Sequence, residues 1–289
     1  FYIDMKERPY MVLIGIVGMA FKSADELIQT RHYAAPDSRE RCLYAVYHIL
    51  ATNEAYGNTR MKDSELARQV NNLCPEAMGH IVDIVKNDGG IYYEPASHWV
   101  SKRGTYNAEV NIAEHIKYRL ANPVKLDVNV NKYRHNGDFE LTDEQIAALQ
   151  MVADNSVCMV NGAAGSGKTQ TTNAILDMLD DVHKSYVCLA PTGIASKMLR
   201  QYTGRPASTI HMFLTVAWWP DYVLIDELSM VGTHLLSMLF TAIGHRPNLI
   251  FIGDSAQLAS ISCGSIIRDI IESKAVPRVI LSKIFRYNT

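Results

Sequence analysis

The sequence predicts an α/β chain: a parallel sheet wrapped by helices in the second half, preceded by a mostly helical first half. Three observations carry this. Beyond residue 140, short apolar runs alternate with helical patterns, as strands joined by crossover helices do. One junction, Gly162-Ala163-Ala164-Gly165-Ser166-Gly167-Lys168-Thr169, is a glycine-rich octamer directly after the apolar run Val157-Cys158-Met159-Val160-Asn161. Before residue 122, apolar residues recur at helical spacing and a single hairpin signal appears.

In chain order, Val17-Gly18-Met19-Ala20-Phe21-Lys22-Ser23-Ala24-Asp25 has the form of a helix-hairpin-helix turn, whose backbone amides meet a DNA phosphate. The usual pattern is Gly-apolar-Gly. Here Ala20 takes the second glycine's place, and its Cβ hinders close approach; a plain helix–helix turn reads equally well. Glu40 to Ala51 carries Leu43, Val46, Tyr47 and Leu50 at helical spacing. Ser64 to Leu73 and Glu76 to Asn87 are two further helices, parted by Cys74-Pro75. Asp88-Gly89-Gly90 then leads into Ile91-Tyr92-Tyr93, a turn at Glu94-Pro95-Ala96-Ser97, and Trp99-Val100-Ser101. Helices followed by a hairpin give a winged-helix-like order, which a generic small helical domain with one hairpin also satisfies; such modules bind DNA, proteins or nothing. Asn129 to Asp138 is polar and reads as a linker or exposed loop. Strands are expected at Ser156–Val160, Ser185–Ala190, Tyr222–Ile225, Leu249–Ile252 and Arg278–Leu281.

With 289 residues and 48% hydrophobic content, the chain has ample material for packed cores. No apolar run reaches bilayer-spanning length and no secretory leader is visible, so a cytoplasmic protein without membrane contact is expected. The sequence begins at Phe1 without Met, as a trimmed chain does. A net charge of −2 gives no global basic signal, so any nucleic-acid contact must come from a local surface. Cys42, Cys74, Cys158, Cys188 and Cys263 are scattered, odd in number and without metal spacing, which suits buried free thiols in a reducing compartment.

The octamer matches the phosphate-loop pattern G-x-x-x-x-G-K-[ST]. Glycines let backbone N–H groups crowd around a triphosphate where side chains would block it. Lys168 supplies charge to the terminal phosphates, the Thr169 hydroxyl is a Mg²⁺ ligand, and the helix starting near Lys168 points its positive end at the anion. With average residue usage such an octamer arises by chance in about one percent of chains this long. Its place between an apolar strand and the helical pattern Thr171 to Leu179 argues further for nucleotide binding.

Tyr222-Val223-Leu224-Ile225-Asp226-Glu227 is an apolar strand ending in two carboxylates, and in a parallel sheet strand C-termini face the ligand crevice. Asp226 is then placed to hold the Mg²⁺ and Glu227 to orient or deprotonate water. Leu249 to Ile252 leads similarly into Gly253-Asp254-Ser255-Ala256-Gln257-Leu258, where Gln257 either senses a γ-phosphate or is a surface amide. Ala190-Pro191-Thr192-Gly193-Ile194-Ala195-Ser196-Lys197 is another strand-to-helix junction, suited to a DNA or phosphate contact. Ser208-Thr209-Ile210-His211 follows closely; a lone His there is ordinarily structural. In Leu141-Thr142-Asp143-Glu144-Gln145, Thr142 or Asp143 reads as a helix N-cap and Gln145 as an ordinary polar helix residue. Arg286, in Ile284-Phe285-Arg286-Tyr287, is weak evidence alone for a γ-phosphate contact.

Taken in order, GAAGSGKT, APTGIASK, STIH, DELSM, GDSAQL and FR, with LTDEQ before them and GMAFKSAD further upstream, resemble the motif series of superfamily 1 DNA helicases. The resemblance is to the RecD-like group, in its long form with an N-terminal extension. It covers nearly the whole chain and is most specific after Leu141. It implies an ATP-driven motor on single-stranded DNA or DNA junctions, moving 5′ to 3′, with a place in DNA repair and recombination. It implies that Gln145 contacts adenine, and that Gly162, Ala163, Ala164, Gly165, Ser166, Gly167, Lys168, Thr169 and Gln170 hold ATP. Lys168, Thr169, Asp226 and Glu227 then form the hydrolytic centre, Thr169 and Asp226 the Mg²⁺ site, and Gln257 and Arg286 the γ-phosphate contacts. Pro191, Thr192, Gly193, Thr209 and His211 fall in motifs that touch DNA or couple it to ATP.

The layout expected is 1–55 helical with the hairpin-like turn, 56–122 winged-helix-like, 123–140 a linker, and 141–289 the first RecA-like ATPase domain. Protein partners are expected to meet the N-terminal region. The sequence stops three residues after Arg286, without the second RecA-like domain, and His211 to Asp226 is short for the group. These residues alone are therefore expected to bind nucleotide without unwinding DNA. Competing readings are a DNA-stimulated translocase without strand separation, a metabolic P-loop NTPase, and a non-catalytic binding subunit. Glu227 and the Gly253–Leu258 segment argue against the second, and the intact Lys168, Thr169, Asp226 and Glu227 against the third.

Overall fold

A computed structural model describes residues 2–136, 139–216, 218–257 and 262–285. The chain divides into two compact units, Phe1–Asn107 and Ala108–Thr289. The division falls inside a single helix, Arg103–Ala121, rather than in the polar stretch after it.

The first unit contains α1 (Tyr2–Glu7), a π-helical turn at Met11–Ile16, α2 (Phe21–Thr30), α3 (Arg39–Ala55), β1 (Met61–Lys62), α4 (Asp63–Leu73), a 3-10 turn at Pro75–His80, α5 (Ile81–Asn87), β2 (Ile91–Glu94), β3 (Trp99–Lys102) and the start of α6 (Arg103–Ala121). The strands pair antiparallel in the order β1-β3-β2. The two-residue β1, too short to leave a period-2 pattern, turns the expected hairpin into a three-stranded sheet. The helix expected over Glu76 to Asn87 is broken into the 3-10 turn and α5; Gly79, a poor helix former, lies in its first part. The Gly18 turn joins the π-helical turn to α2. Gly18 has φ +79°, which only glycine adopts freely, whereas Ala20 is extended at φ −62° and needs no glycine. Arg41 is buried and forks onto Asp25 at 2.8 and 3.0 Å, with Tyr10 bonded to the same carboxylate.

The second unit holds a 3-10 turn at Val130–Tyr133, β4 (His135–Asn136), β5 (Phe139–Glu140), α7 (Asp143–Asp154), β6 (Val157–Gly162), α8 (Lys168–Asp181), β7 (Tyr186–Ala190), α9 (Gly193–Thr203), β8 (Ala207–Thr209), α10 (Ile210–Phe213), β9 (Tyr222–Ile225), α11 (Thr233–Ile243), β10 (Asn248–Gly253), α12 (Ile266–Ser273) and β11 (Arg278–Leu281). Six strands form an all-parallel sheet in the order β11-β6-β10-β9-β7-β8. Alternate residues feed opposite cores. Cys158, Val160, Leu224 and Ile250 pack toward α7 and α8, whereas Val157, Met159, Val223, Leu249 and Phe251 pack toward α11 and α12. Both faces are covered, so the strands read as continuous apolar runs.

The polar stretch after α6 is not a free link. Val130 and Tyr133 are buried against α7, Leu126 N–H donates to the Ala153 carbonyl at 2.7 Å, and Tyr133 hydroxyl donates to Asp181 at 2.8 Å. Two apolar anchors one helical turn apart suffice to dock a segment whose remaining residues are polar. Among the described residues no helix is long and apolar enough to cross a membrane, and all five cysteines are buried.

Within the second unit, α6 is fastened by a buried cation. Arg119 is 2% exposed and donates to the carbonyls of Pro247 (2.7 Å), Gly244 (2.8 Å) and His115 (3.0 Å). His115 stacks on His245 at 4.1 Å. Burial first, then the nearby His245 and Arg119, lowers the His115 pKa to about 4. Unfolded, the ring titrates near 6.5. Between those values the unfolded state binds more protons, so the stability that neutral His115 contributes is present above about pH 6.5 and lost as pH falls toward 4. The loss reaches at most about 3 kcal/mol. Urea midpoints measured across that window are expected to fall with pH in the native protein, and appreciably less in His115→Phe; equal pH dependence in both rules out His115 as the source.

Candidate active site

Strand β6 delivers the glycine-rich loop and α8 begins at Lys168 with Gly167 as its N-cap. Gly167 has φ +86°, and a Cβ there would meet Gln145 Nε2 at 2.7 Å and the Phe285 ring at 3.3 Å. Only glycine fits on both counts. Lys168 Nζ donates to the carbonyls of Gly162 (2.5 Å) and Ala163 (3.0 Å). Thr169 is exposed at the start of α8, as are Ala163, Ala164 and Gly165 in the loop, while Gln170 is half-buried. The Ser166 hydroxyl is buried without a hydrogen-bond partner.

Strand β9 ends at Ile225 and hands on Asp226 and Glu227. Asp226 is 7% exposed; its Oδ1 accepts from the Glu227 N–H at 2.9 Å and its Oδ2 from the Tyr202 hydroxyl. Burial raises the Asp226 carboxyl, opposed by those donors and by Lys168. Glu227 sits at φ +52°, a left-handed conformation costly for a side-chain-bearing residue and found where a site demands it. Burial and then the Asp226 charge raise its carboxyl, with Lys168 and Gln257 pulling the other way. Its Oε2 is buried and unpartnered. Burial beside Asp226 holds the Tyr202 phenol far above its ordinary range.

Strand β10 lies between β6 and β9, so the loops after three neighbouring strands meet at one sheet edge. Asn161, the penultimate residue of β6, exchanges two hydrogen bonds with Ser255, at 3.0 Å each. Gln257 accepts from Ser229 at 3.1 Å and also reaches Glu227. Lys168, Asp226, Glu227 and Gln257 are thereby brought together. The donor set offered by Thr169, Asp226 and Glu227 is all oxygen, with a buried carboxylate oxygen still unpartnered, and it fits a hard divalent cation.

Gln145 lies against the phosphate loop. It is 1% exposed and completes a capping box with Thr142: Oε1 accepts from the Thr142 N–H at 2.9 Å, and Nε2 donates to the Gly167 carbonyl at 3.2 Å. The amide thereby braces the phosphate loop. Phe285, which sequence reasoning passed over, lies against this brace, and its N–H donates to the Gly165 carbonyl at 2.8 Å. Its position beside Arg286 in the sequence was the available signal. Arg286 and Leu258 lie outside the described residues.

The DNA-contact candidates collect elsewhere on the same sheet. Ala190 of β7 is in register with Thr209 of β8, which puts Pro191-Thr192-Gly193 beside Thr209 and His211. Thr192 caps α9 through Ala195 N–H at 3.2 Å, Thr209 caps α10 through Met212 N–H at 3.1 Å, and His211 is exposed. These five are not part of the phosphate-loop cluster; Tyr202 on α9 is what joins the two regions.

Comparison with known proteins adds an independent line. The chain is 26% identical, over 98% of its length, to an ATP-dependent RecD2 DNA helicase of Deinococcus radiodurans, and covers 43% of that protein. It is 32% identical, over 36% of its length, to the ATP-dependent DNA helicase dda of Enterobacteria phage T4, covering 28% of it. Among solved structures, a Pif1 helicase from Candida albicans aligns over 51% of this chain and 41% of its own, with 20% identity and a TM-score of 0.40. The chain spans less than half the length of these relatives. Residues 140–289, just over half of the chain, match the AAA domain family. The chain belongs to the AAA domain family.

Proposed function

We propose that the chain is the N-terminal module and first motor domain of an ATP-dependent DNA helicase that moves 5′ to 3′ on single-stranded DNA in the cytosol. The observation that carries this is the meeting of Lys168, Asp226, Glu227 and Gln257 at one edge of a parallel sheet whose next two strands lead into Thr192 and end at Thr209. In this reading the loop 162–170 cradles the triphosphate of ATP, and Gln145 and Phe285 shape its rim. Bound through Thr169 and Asp226, Mg²⁺ would neutralise charge on the terminal phosphates. Lys168 leaves the Gly162 and Ala163 carbonyls for the transferring phosphoryl group, adding a positive charge where negative charge develops. Glu227, with a raised pKa and a free buried oxygen, accepts the proton of the attacking water. Gln257, held between Ser229 and Glu227, senses the γ-phosphate, and Arg286 has the role of a second γ-phosphate contact. Pro191, Thr192, Gly193, Thr209 and His211 contact the strand, and the first unit engages DNA junctions or a protein partner. The named activities of the RecD2 and dda relatives support the reading.

The test is ATP hydrolysis by the full-length protein with and without single-stranded DNA. Stimulation by roughly an order of magnitude or more is expected, followed by strand separation on a forked duplex. Stimulation without separation makes the protein a translocase; hydrolysis indifferent to DNA makes it a metabolic or partner-regulated NTPase and rejects the proposal.

A further inference from the structure

Tyr202 stands about two and a half turns along α9 from Gly193, and its hydroxyl donates to Asp226 Oδ2. No motif in the sequence marks it. The other carboxylate oxygen is held by the Glu227 N–H, so Asp226 is gripped by one donor from its own loop and one from α9. The Tyr202 backbone is anchored too: its carbonyl accepts from Asn173 Nδ2 of α8 at 3.0 Å. One residue therefore touches the phosphate-loop helix and the acidic pair while riding on the helix that opens with Thr192 and Gly193. The outward face of that helix is bare, with Ile194 77% and Met198 58% exposed.

We propose that Tyr202 is a positioning residue that orients Asp226 for the divalent cation and transmits to it a shift of α9 when single-stranded DNA engages Thr192 and Gly193. This rests on the helicase reading for the roles of Asp226 and α9. The physical basis is twofold. A donor bound to a ligating carboxylate fixes which lone pair faces the metal, and removing such donors costs about 10–100-fold in metal affinity. A helix packed along its length moves as a body, so displacement at its first turn reaches Tyr202. A tyrosine serving only to fill space is the alternative, since its ring also packs against the core beneath α9.

The experiment uses Tyr202→Phe in the full-length protein and reads Mn²⁺ binding by electron paramagnetic resonance in the presence of ADP, with and without single-stranded DNA. Mn²⁺ affinity is expected to fall about ten-fold, with ADP binding in EDTA unchanged and the melting temperature lowered by no more than about 5 °C. DNA is expected to shift Mn²⁺ affinity by about five-fold in the native protein and to leave the variant nearly indifferent. Asn173→Ala disturbs the same helix contact but keeps the hydroxyl, and is expected to retain native Mn²⁺ affinity. Unchanged Mn²⁺ affinity in Tyr202→Phe, or equal losses in both variants, overturns the proposal. If the native protein binds Mn²⁺ and ADP but neither this affinity nor its hydrolysis responds to DNA, the helicase reading fails, while the effect of Tyr202→Phe on the metal is still measured.

Discussion

Lys168→Ala is expected to lower ATP turnover by roughly 10³-fold or more, the scale of removing a charge that acts on the transition state. The substitution should leave the fold alone. Among the described residues Lys168 Nζ hydrogen-bonds two carbonyls of its own loop, and the α8 core residues behind it, Ala174, Ile175 and Met178, are fully buried without its help. The cleanest measurement pairs steady-state hydrolysis with a thermal melt. A melt within about 2 °C of the native protein together with lost turnover ties the chemistry to this side chain. Native turnover in the variant removes the basis for reading the loop as a hydrolytic site. Nucleotide affinity should weaken as well, because the ammonium meets the phosphates in the ground state and the transition state alike.

Glu227→Gln should separate binding from hydrolysis. The amide keeps the shape and loses the base, so ATP affinity should stay near native while turnover falls by about 10²–10⁴-fold. Equal loss of both would deny Glu227 a role with water. A second consequence concerns stability. Glu227 is half-buried, repelled by Asp226 and Asp254, and held in a left-handed backbone conformation. Removing its charge relieves the first two penalties, so the variant is expected to unfold at higher urea, by about 1 kcal/mol. A less stable Glu227→Gln would mean that the carboxylate is held by favourable contacts rather than imposed by function.

The strands at Tyr222–Ile225 and Arg278–Leu281 fall where apolar patterning puts them, and the other three differ by only a residue or two. Burial on both faces writes β6, β9 and β10 as largely apolar runs. β8 escaped because Ala207-Ser208-Thr209 is short and mostly polar at a sheet edge. The helix Arg103–Ala121 escaped because its two ends belong to different units and leave no single apolar stripe. In the site, the phosphate loop and the acidic pair were legible because phosphate and metal chemistry restrict the residue types. Tyr202, Phe285 and the Gln145 brace were not, since each matters through a neighbour distant in sequence: Asp226, Gly165 and Gly167 respectively.

The order of the sheet also bears on how the protein is made. β6 emerges first among the six parallel strands, yet both of its neighbours, β10 and β11, come last, with Cys158 opposite Ile250 and Val160 opposite Val279. During synthesis β6 must wait with both hydrogen-bonding edges open until the chain has grown past Gly253, and with one open until it has grown past Leu281. Pairings so distant in sequence are slow to close and leave apolar strands exposed in the interval. A nascent chain arrested before Asn248 should therefore be an avid chaperone client, and release of its sheet from that protection should coincide with the appearance of β10 and β11 outside the ribosome.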